Sequence, residues 1–120
     1  MSYTFDNNIP IYIQLVNIVR VDIVSGKLSI GSRLPSVREL AFYYKVNPNT
    51  MQKALVELES EKLIYTERTN GKYVTEDKKV INKIKEKLAK EKVNDYLNSM
   101  NSIGITYEES IKYLQELGGK

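Results

Sequence analysis

The chain has 120 residues, 42% of them hydrophobic, and a formal charge of +3 from 18 basic and 15 acidic side chains, enough for one modest core with or without an appendage. It lacks both cysteine and histidine, which excludes disulfides, thiolate metal sites, cysteine nucleophiles and the commonest general base. The charge is even along the chain, nine basic and eight acidic residues through Glu76 and nine and seven from Asp77, so neither half is a coat for non-specific nucleic-acid binding.

Residues 1–8 read as a loose polar arm without the apolar core of a signal peptide. No stretch approaches about 18 uninterrupted apolar residues, so no transmembrane helix is expected and a cytoplasmic location is the default. Pro10 fits the first turn of a helix whose inward stripe would be Ile11, Leu15, Ile18, Val19 and Ile23, with Gly26 as its stop. Leu28 to Leu34 is a connector with room for a short strand. Ser36 and Glu39 then form an S-x-x-E capping box, and Val37, Leu40, Ala41 and Tyr44 follow on one helical face. After Lys45-Val46, Asn47 caps a further helix whose first residue is Pro48 and whose inward stripe is Met51, Ala54, Leu55 and Leu58.

Leu63 to Glu67 and Lys72 to Thr75 are rich in strand formers, and Asn70-Gly71 between them is a strong hairpin signal. From Asp77 the pattern becomes a lysine- and glutamate-rich helix with apolar positions Val80, Ile81, Ile84, Leu88, Val93, Tyr96, Leu97 and Met100. Asn101-Ser102 and Gly104 end it. Thr106 and Glu109 form a second capping box, opening a last helix with Tyr107, Ile111, Leu114 and Leu117 expected inward and Gly118 as its stop. The expected fold is α+β and mainly helical: a winged helix-turn-helix over 1–76, and a two-helix appendage over 77–120.

Successive helical residues are about 100° apart, so the helix opening at Pro48 presents Asn49, Gln52 and Lys53 on the side opposite its apolar stripe. Asn and Gln each carry a donor and an acceptor, matching the adenine edge in the major groove, and Lys53 can reach a phosphate or a guanine. A solvated helix face is the plainer reading of the same pattern. Asn47 is expected to be occupied by capping. Arg38, at the second position of the preceding helix, and Arg33 are candidate phosphate contacts; for Arg38 the competing reading is an ion pair with Glu39. The wing tip from Thr69 to Lys72 is a candidate for the minor groove or the backbone, and Gly71 has a competing role in the turn alone.

These residues resemble the GntR family of bacterial transcription regulators. The resemblance runs from Pro10-Ile11-Tyr12 through Gly31-Ser32-Arg33-Leu34-Pro35-Ser36-Val37-Arg38-Glu39-Leu40-Ala41 to the wing. Val46-Asn47-Pro48-Asn49-Thr50-Met51-Gln52-Lys53-Ala54 is similar to the wording of its YtrA-like branch. The resemblance implies a homodimer on an inverted repeat of double-stranded DNA, more often a repressor, and in that branch commonly of a transporter operon. By that analogy the DNA-contacting positions are Arg38, Asn47, Pro48, Asn49, Gln52 and Gly71, with Pro48 offering shape and van der Waals contact alone. Three departures stand out. Lys45 occupies a position where the family often has glycine, Thr69 replaces the first of two wing glycines, and Pro48 and Gln52 stand where some members carry arginine.

The residues after Glu76 are too few to enclose the roughly 300 Å³ or more that a small ligand requires, so no cofactor is expected and an effector is left open. Ile84, Leu88, Tyr96, Leu97, Met100, Ile111 and Leu114 are candidates for dimerisation; packing back on their own winged domain is the alternative. Catalysis is not expected, since no catalytic motif is present. The remaining alternatives are a winged-helix protein-interaction module without DNA specificity, against which the polar outward face argues, and a non-specific architectural DNA binder, which the weak charge disfavours.

Overall fold

The computed structural model describes residues 4–119; residues 1–3 of the expected arm lie outside it. The order of elements is α1 (Ile11–Val24), α2 (Val37–Tyr44), α3 (Pro48–Ser60), β1 (Ile64–Glu67), β2 (Gly71–Val74), α4 (Lys78–Ser102) and α5 (Tyr107–Gly118). The chain divides into two compact units, with the boundary between Lys83 and Ile84, inside α4.

In the first unit, α1, α2 and α3 pack around Leu15, Val19, Ile23, Leu40, Tyr44, Met51, Leu55 and Leu58, all buried. Pro10, expected in the first turn of α1, stands just before it as the N-cap without a side-chain cap, whereas α2 and α3 begin where their local chemistry says they should. Ser36 and Glu39 satisfy each other's backbone N–H groups at the start of α2, and Asn47 accepts the Asn49 N–H at the start of α3, where Pro48 gives up no hydrogen bond. Between these helices Lys45 adopts φ 59° and ψ 49°, the left-handed conformation expected at this position. A lysine there carries a backbone cost that glycine avoids.

The stripe of α1 differs from the expected one. Leu15, Val16, Val19, Asp22 and Ile23 are buried, whereas Ile11 is exposed and Ile18 half-buried. Asp22 falls on this buried face, where its carboxylate accepts a 3.0 Å hydrogen bond from the Tyr44 hydroxyl. A buried carboxylate needs such a partner. Among the described residues the arm is also less loose than its composition suggests. The Gln14 amide donates to the carbonyls of Asp6 and Ile9 and accepts from the Asp6 N–H, each at 2.7 Å.

β1 and β2 form an antiparallel hairpin in which Ile64 faces Val74 and Glu67 faces Gly71. The connecting loop is therefore Arg68-Thr69-Asn70. Gly71 belongs to the strand, which corrects the expected Asn-Gly turn. Its φ of 90° matches the residue that follows a three-residue hairpin loop. The connector before α2 runs along the free edge of β2: Leu34 N–H donates to the Lys72 carbonyl at 2.8 Å and Val74 N–H to the Ser32 carbonyl at 2.9 Å. The start of α4 completes this unit with buried Ile81.

The second unit is the remainder of α4 with α5. The Tyr96 hydroxyl donates to the Ser110 carbonyl at 2.8 Å, and Ser110 is the buried residue of α5. Thr106 and Glu109 form the expected capping box. The expected inward stripe of α5 is not inward within one chain: Tyr107, Ile111, Leu114 and Leu117 are all exposed. Two helices offer each other only one line of contact, and the small Ser110 takes it.

Candidate nucleic-acid interface

The first turns of α3 carry the candidate reading face. Asn49 and Gln52 are exposed, and among the described residues neither side chain has a hydrogen-bond partner. The opposite side of the helix is fully committed, with Met51, Ala54, Leu55 and Leu58 all at 0% exposure. Burial on one side thus sets which side chains remain outward. Asn47 is half occupied, its side-chain oxygen accepting the Asn49 N–H at 2.7 Å while its amide N–H groups are uncommitted. Pro48 is exposed at the helix start.

Arg38 is exposed on the first turn of α2, and no ion pair engages it among the described residues. The expected competitor, Glu39, is turned back: its carboxylate accepts the Ser36 N–H at 3.1 Å. That hydrogen bond, followed by the one with the Ser36 side chain, holds the Glu39 carboxyl below its ordinary range. The capping box therefore commits the Glu39 carboxylate to the helix start.

A cleft of about 720 Å³ separates the wing from the start of α2, with Arg33, Ser36, Arg68, Gly71 and Lys72 among its walls. The Arg33 guanidinium lies against Gly71, so a Cβ added there would stand 3.3 Å from Arg33 Nε. Gly71 is thus required for its positive φ, while an added Cβ would also press on the flexible end of Arg33. Lys72, expected at the wing tip, points back to α3 instead. Its ammonium is 3.2 Å from the Glu59 carboxylate and 2.9 Å from the Thr66 hydroxyl, which itself donates to Glu59 at 2.9 Å. The hydrogen bond from Thr66, and after it the one from Lys72, lowers the pKa of Glu59. Arg68 is the loop cation that sequence reading missed, because it fell between a first strand ending at Glu67 and a wing tip starting at Thr69.

Lys53 is also placed unexpectedly. Its ammonium sits 4.0 Å from the centre of the Tyr12 ring on α1, away from the helix axis. Farther back, Arg20 of α1 forms an ion pair with Glu61 just beyond α3, its Nε 3.0 Å from Oε1, which ties the two helices at their other end.

Comparison with known proteins bears on this arrangement. The sequence profile described as "Bacterial regulatory proteins, gntR family" matches residues 11–74, from the first residue of α1 to the last of β2. The chain belongs to the GntR family. This GntR-family chain is 34% identical to the HTH-type transcriptional repressor YtrA of Bacillus subtilis, over 92% of this chain and 90% of that protein. A GntR family transcriptional regulator from Listeria monocytogenes is similar in structure, with a TM-score of 0.84 and 41% identity over 94% of this chain and 99% of the other. The DNA-binding domain of AraR, solved in complex with operator ORR3, matches with a TM-score of 0.52 and 27% identity, covering 62% of this chain and 88% of that one. The protein is a GntR-family transcriptional regulator with a winged helix-turn-helix. Its relatives are named as regulators of transcription, not as enzymes, and among the described residues no helix is long and apolar enough to cross a membrane.

Proposed function

We propose that this regulator binds an inverted-repeat operator as a homodimer in the cytoplasm and acts as a repressor. The observation that carries the reading is the start of α3: a capped helix with four buried apolar residues on one side, and Asn49 and Gln52 free on the other. In this reading Asn49 and Gln52 meet base edges in the major groove. Arg38, Arg33 and Arg68 meet phosphates, and the N–H groups of Asn47 together with the ring of Pro48 shape the approach. A YtrA relative named as a repressor and an AraR domain seen on operator DNA support it.

The second unit supports the dimer. Tyr96, Met100, Ile103, Tyr113, Leu114 and Leu117 line an open apolar cleft of about 520 Å³, beside exposed Ile111. Fully burying a Leu or Ile side chain contributes about 1.5–3 kcal/mol, so covering this face with a second copy would favour association against its entropy cost. Ile84, Leu88 and Leu97, half-buried along α4, extend the same apolar surface. A dimer would set two α3 helices about 34 Å apart, one turn of DNA.

Selection of bound fragments from random and genomic DNA at near-physiological salt tests the proposal. Enrichment of one inverted repeat is the expected result, and the genes beside it, in this reading a transporter operon, name the target. Retention without sequence preference would replace the reading by an architectural role, and no retention by a protein-interaction role.

A further inference from the structure

Tyr12 lies in the first turn of α1, half-buried, and Lys53 lies on α3 one helical turn beyond Asn49. Among the described residues the Tyr12 hydroxyl has no hydrogen-bond partner and Lys53 has no carboxylate partner. The aromatic face attracts one side of the ammonium. Its remaining N–H donors point away from the ring and are unspent, as is the phenol O–H.

We propose that Tyr12 and Lys53 form a composite phosphate clamp, in which the ring holds the ammonium on the DNA backbone beside the reading face. Lys53 then contributes affinity and not base choice, and Tyr12 is its positioning residue as well as a hydrogen-bond donor to the same phosphate. This rests on the DNA-binding reading above.

Space decides where the clamp points. A helix with its side chains is about 10–12 Å across, and the major groove is about 12 Å wide. With α3 in the groove, an element packed alongside it has no access to base edges and meets the phosphate ridge. α1 is such an element, and a cation drawn onto an α1 ring is drawn towards the ridge. Reaching a guanine would require Lys53 to leave the ring and extend along the groove. A role confined to fastening α1 to α3 is poorly served by this contact. Buried Leu15, Val19 and Ile23 of α1, Met51 and Leu55 of α3, and the Arg20–Glu61 pair already join the two helices.

The test uses the full chain and the operator recovered by selection. Affinity is measured against salt concentration, and against single-base operator variants, for the native protein, Lys53→Ala, Tyr12→Phe, Tyr12→Leu and the double variant Tyr12→Leu/Lys53→Ala. Lys53→Ala is expected to weaken every operator variant alike and to flatten the salt slope by about 0.9 for each phosphate that is no longer neutralised. Tyr12→Leu should cost a few-fold in affinity, and the double variant should lose less than the two single losses combined. Tyr12→Phe should retain the slope and forfeit only the hydrogen bond of the hydroxyl. A change of preference at one base pair in Lys53→Ala, with an unchanged slope, would make Lys53 a base reader and overturn the clamp. Fully independent effects in the double variant would overturn the coupling.

The free protein supplies a readout that needs no DNA. The Lys53 ε-methylene protons should show a ring-current upfield NMR shift, kept in Tyr12→Phe and abolished in Tyr12→Leu. Its absence in the native protein overturns the placement. A shift that is present in a protein retaining no DNA overturns the DNA-binding reading, and the clamp with it, while leaving the ring contact standing. Should Tyr12→Leu fail to fold by thermal melting, Lys53→Gln and the native NMR shift decide the same question.

Discussion

The winged unit and the helical unit are both made of amphipathic segments, yet they treat their apolar faces in opposite ways. In the winged unit three helices and a hairpin surround one centre, so that Met51, Ala54, Leu55, Leu58 and Leu63 are all at 0% exposure. On α3 it leaves Asn49, Gln52 and Lys53 outward, with Val56 as the exposed apolar exception. In the helical unit two helices meet along one line at Tyr96 and Ser110, and Leu117 is 82% exposed. A stripe at helical spacing establishes that a face is apolar; the number of neighbours decides whether the same chain covers it. The winged unit covers its own core, whereas the helical unit leaves much of its apolar area open; in the reading proposed above, the first meets DNA and the second meets another subunit.

If the winged unit carries the independent core, Leu55→Ala should cost about 2–5 kcal/mol, read as a lower denaturant midpoint. A loss well under 1 kcal/mol would show that this core is not packed as described. If the helical unit instead holds two copies together, Leu114→Asp with Leu117→Asp should leave the unfolding of the winged unit almost unchanged and convert the dimer to a monomer by sedimentation. Operator affinity should then fall by about 100-fold or more as bivalence disappears. A truncation after Lys83 makes the same comparison, since it keeps buried Ile81 with the winged unit; a truncated protein that stayed dimeric would refute the division of labour.

Smaller effects probe the outward face. Asn49→Ala or Gln52→Ala should lose about 1–3 kcal/mol at particular base pairs and little elsewhere, while Arg38→Ala should weaken all sites alike and flatten the salt dependence. Unaltered affinity and base preference in Asn49→Ala would move the reading face elsewhere on α3. The smallest effect concerns the wing. The Glu59 pKa is lowered from its ordinary 4.5 by Thr66 and Lys72, so the clasp stabilises the fold at neutral pH and is lost as pH falls through that lowered value. Between about pH 7 and pH 5 the protection of the hairpin amides, their exchange rate relative to the intrinsic rate at the same pH, should not change; below the ordinary carboxylate range that protection should fall, and Glu59→Gln should remove this pH step. A step that persists in Glu59→Gln would belong to another carboxylate.

Most of the winged unit is legible in the residues because local chemistry and burial agree there. The Ser36–Glu39 capping box, Pro48 at a helix start and the α3 stripe each depend on neighbours within about one helical turn. The differences fall where distant residues enter. Periodicity places Ile11 in the core, but the buried face of α1 runs through Leu15, Val16, Val19, Asp22 and Ile23, with Asp22 held by the distant Tyr44. Asn70-Gly71 reads as the hairpin loop, but the pairing of Glu67 with Gly71 moves it to Arg68-Thr69-Asn70. Lys72 reads as a wing-tip residue, and Glu59 draws it back.

Spacing, caps and the absence of cysteine and histidine were sufficient to name the elements, their order and the polar face of α3, because these follow from periodicity and backbone hydrogen bonding along the chain. Which cations stay free was settled by folding. Arg38 stands without an ion pair among the described residues while Glu39 serves its cap, Lys72 is bound to Glu59 and Lys53 is drawn to Tyr12. Charge pairing depends on distances between residues far apart in sequence, and those distances exist only once the helices have packed.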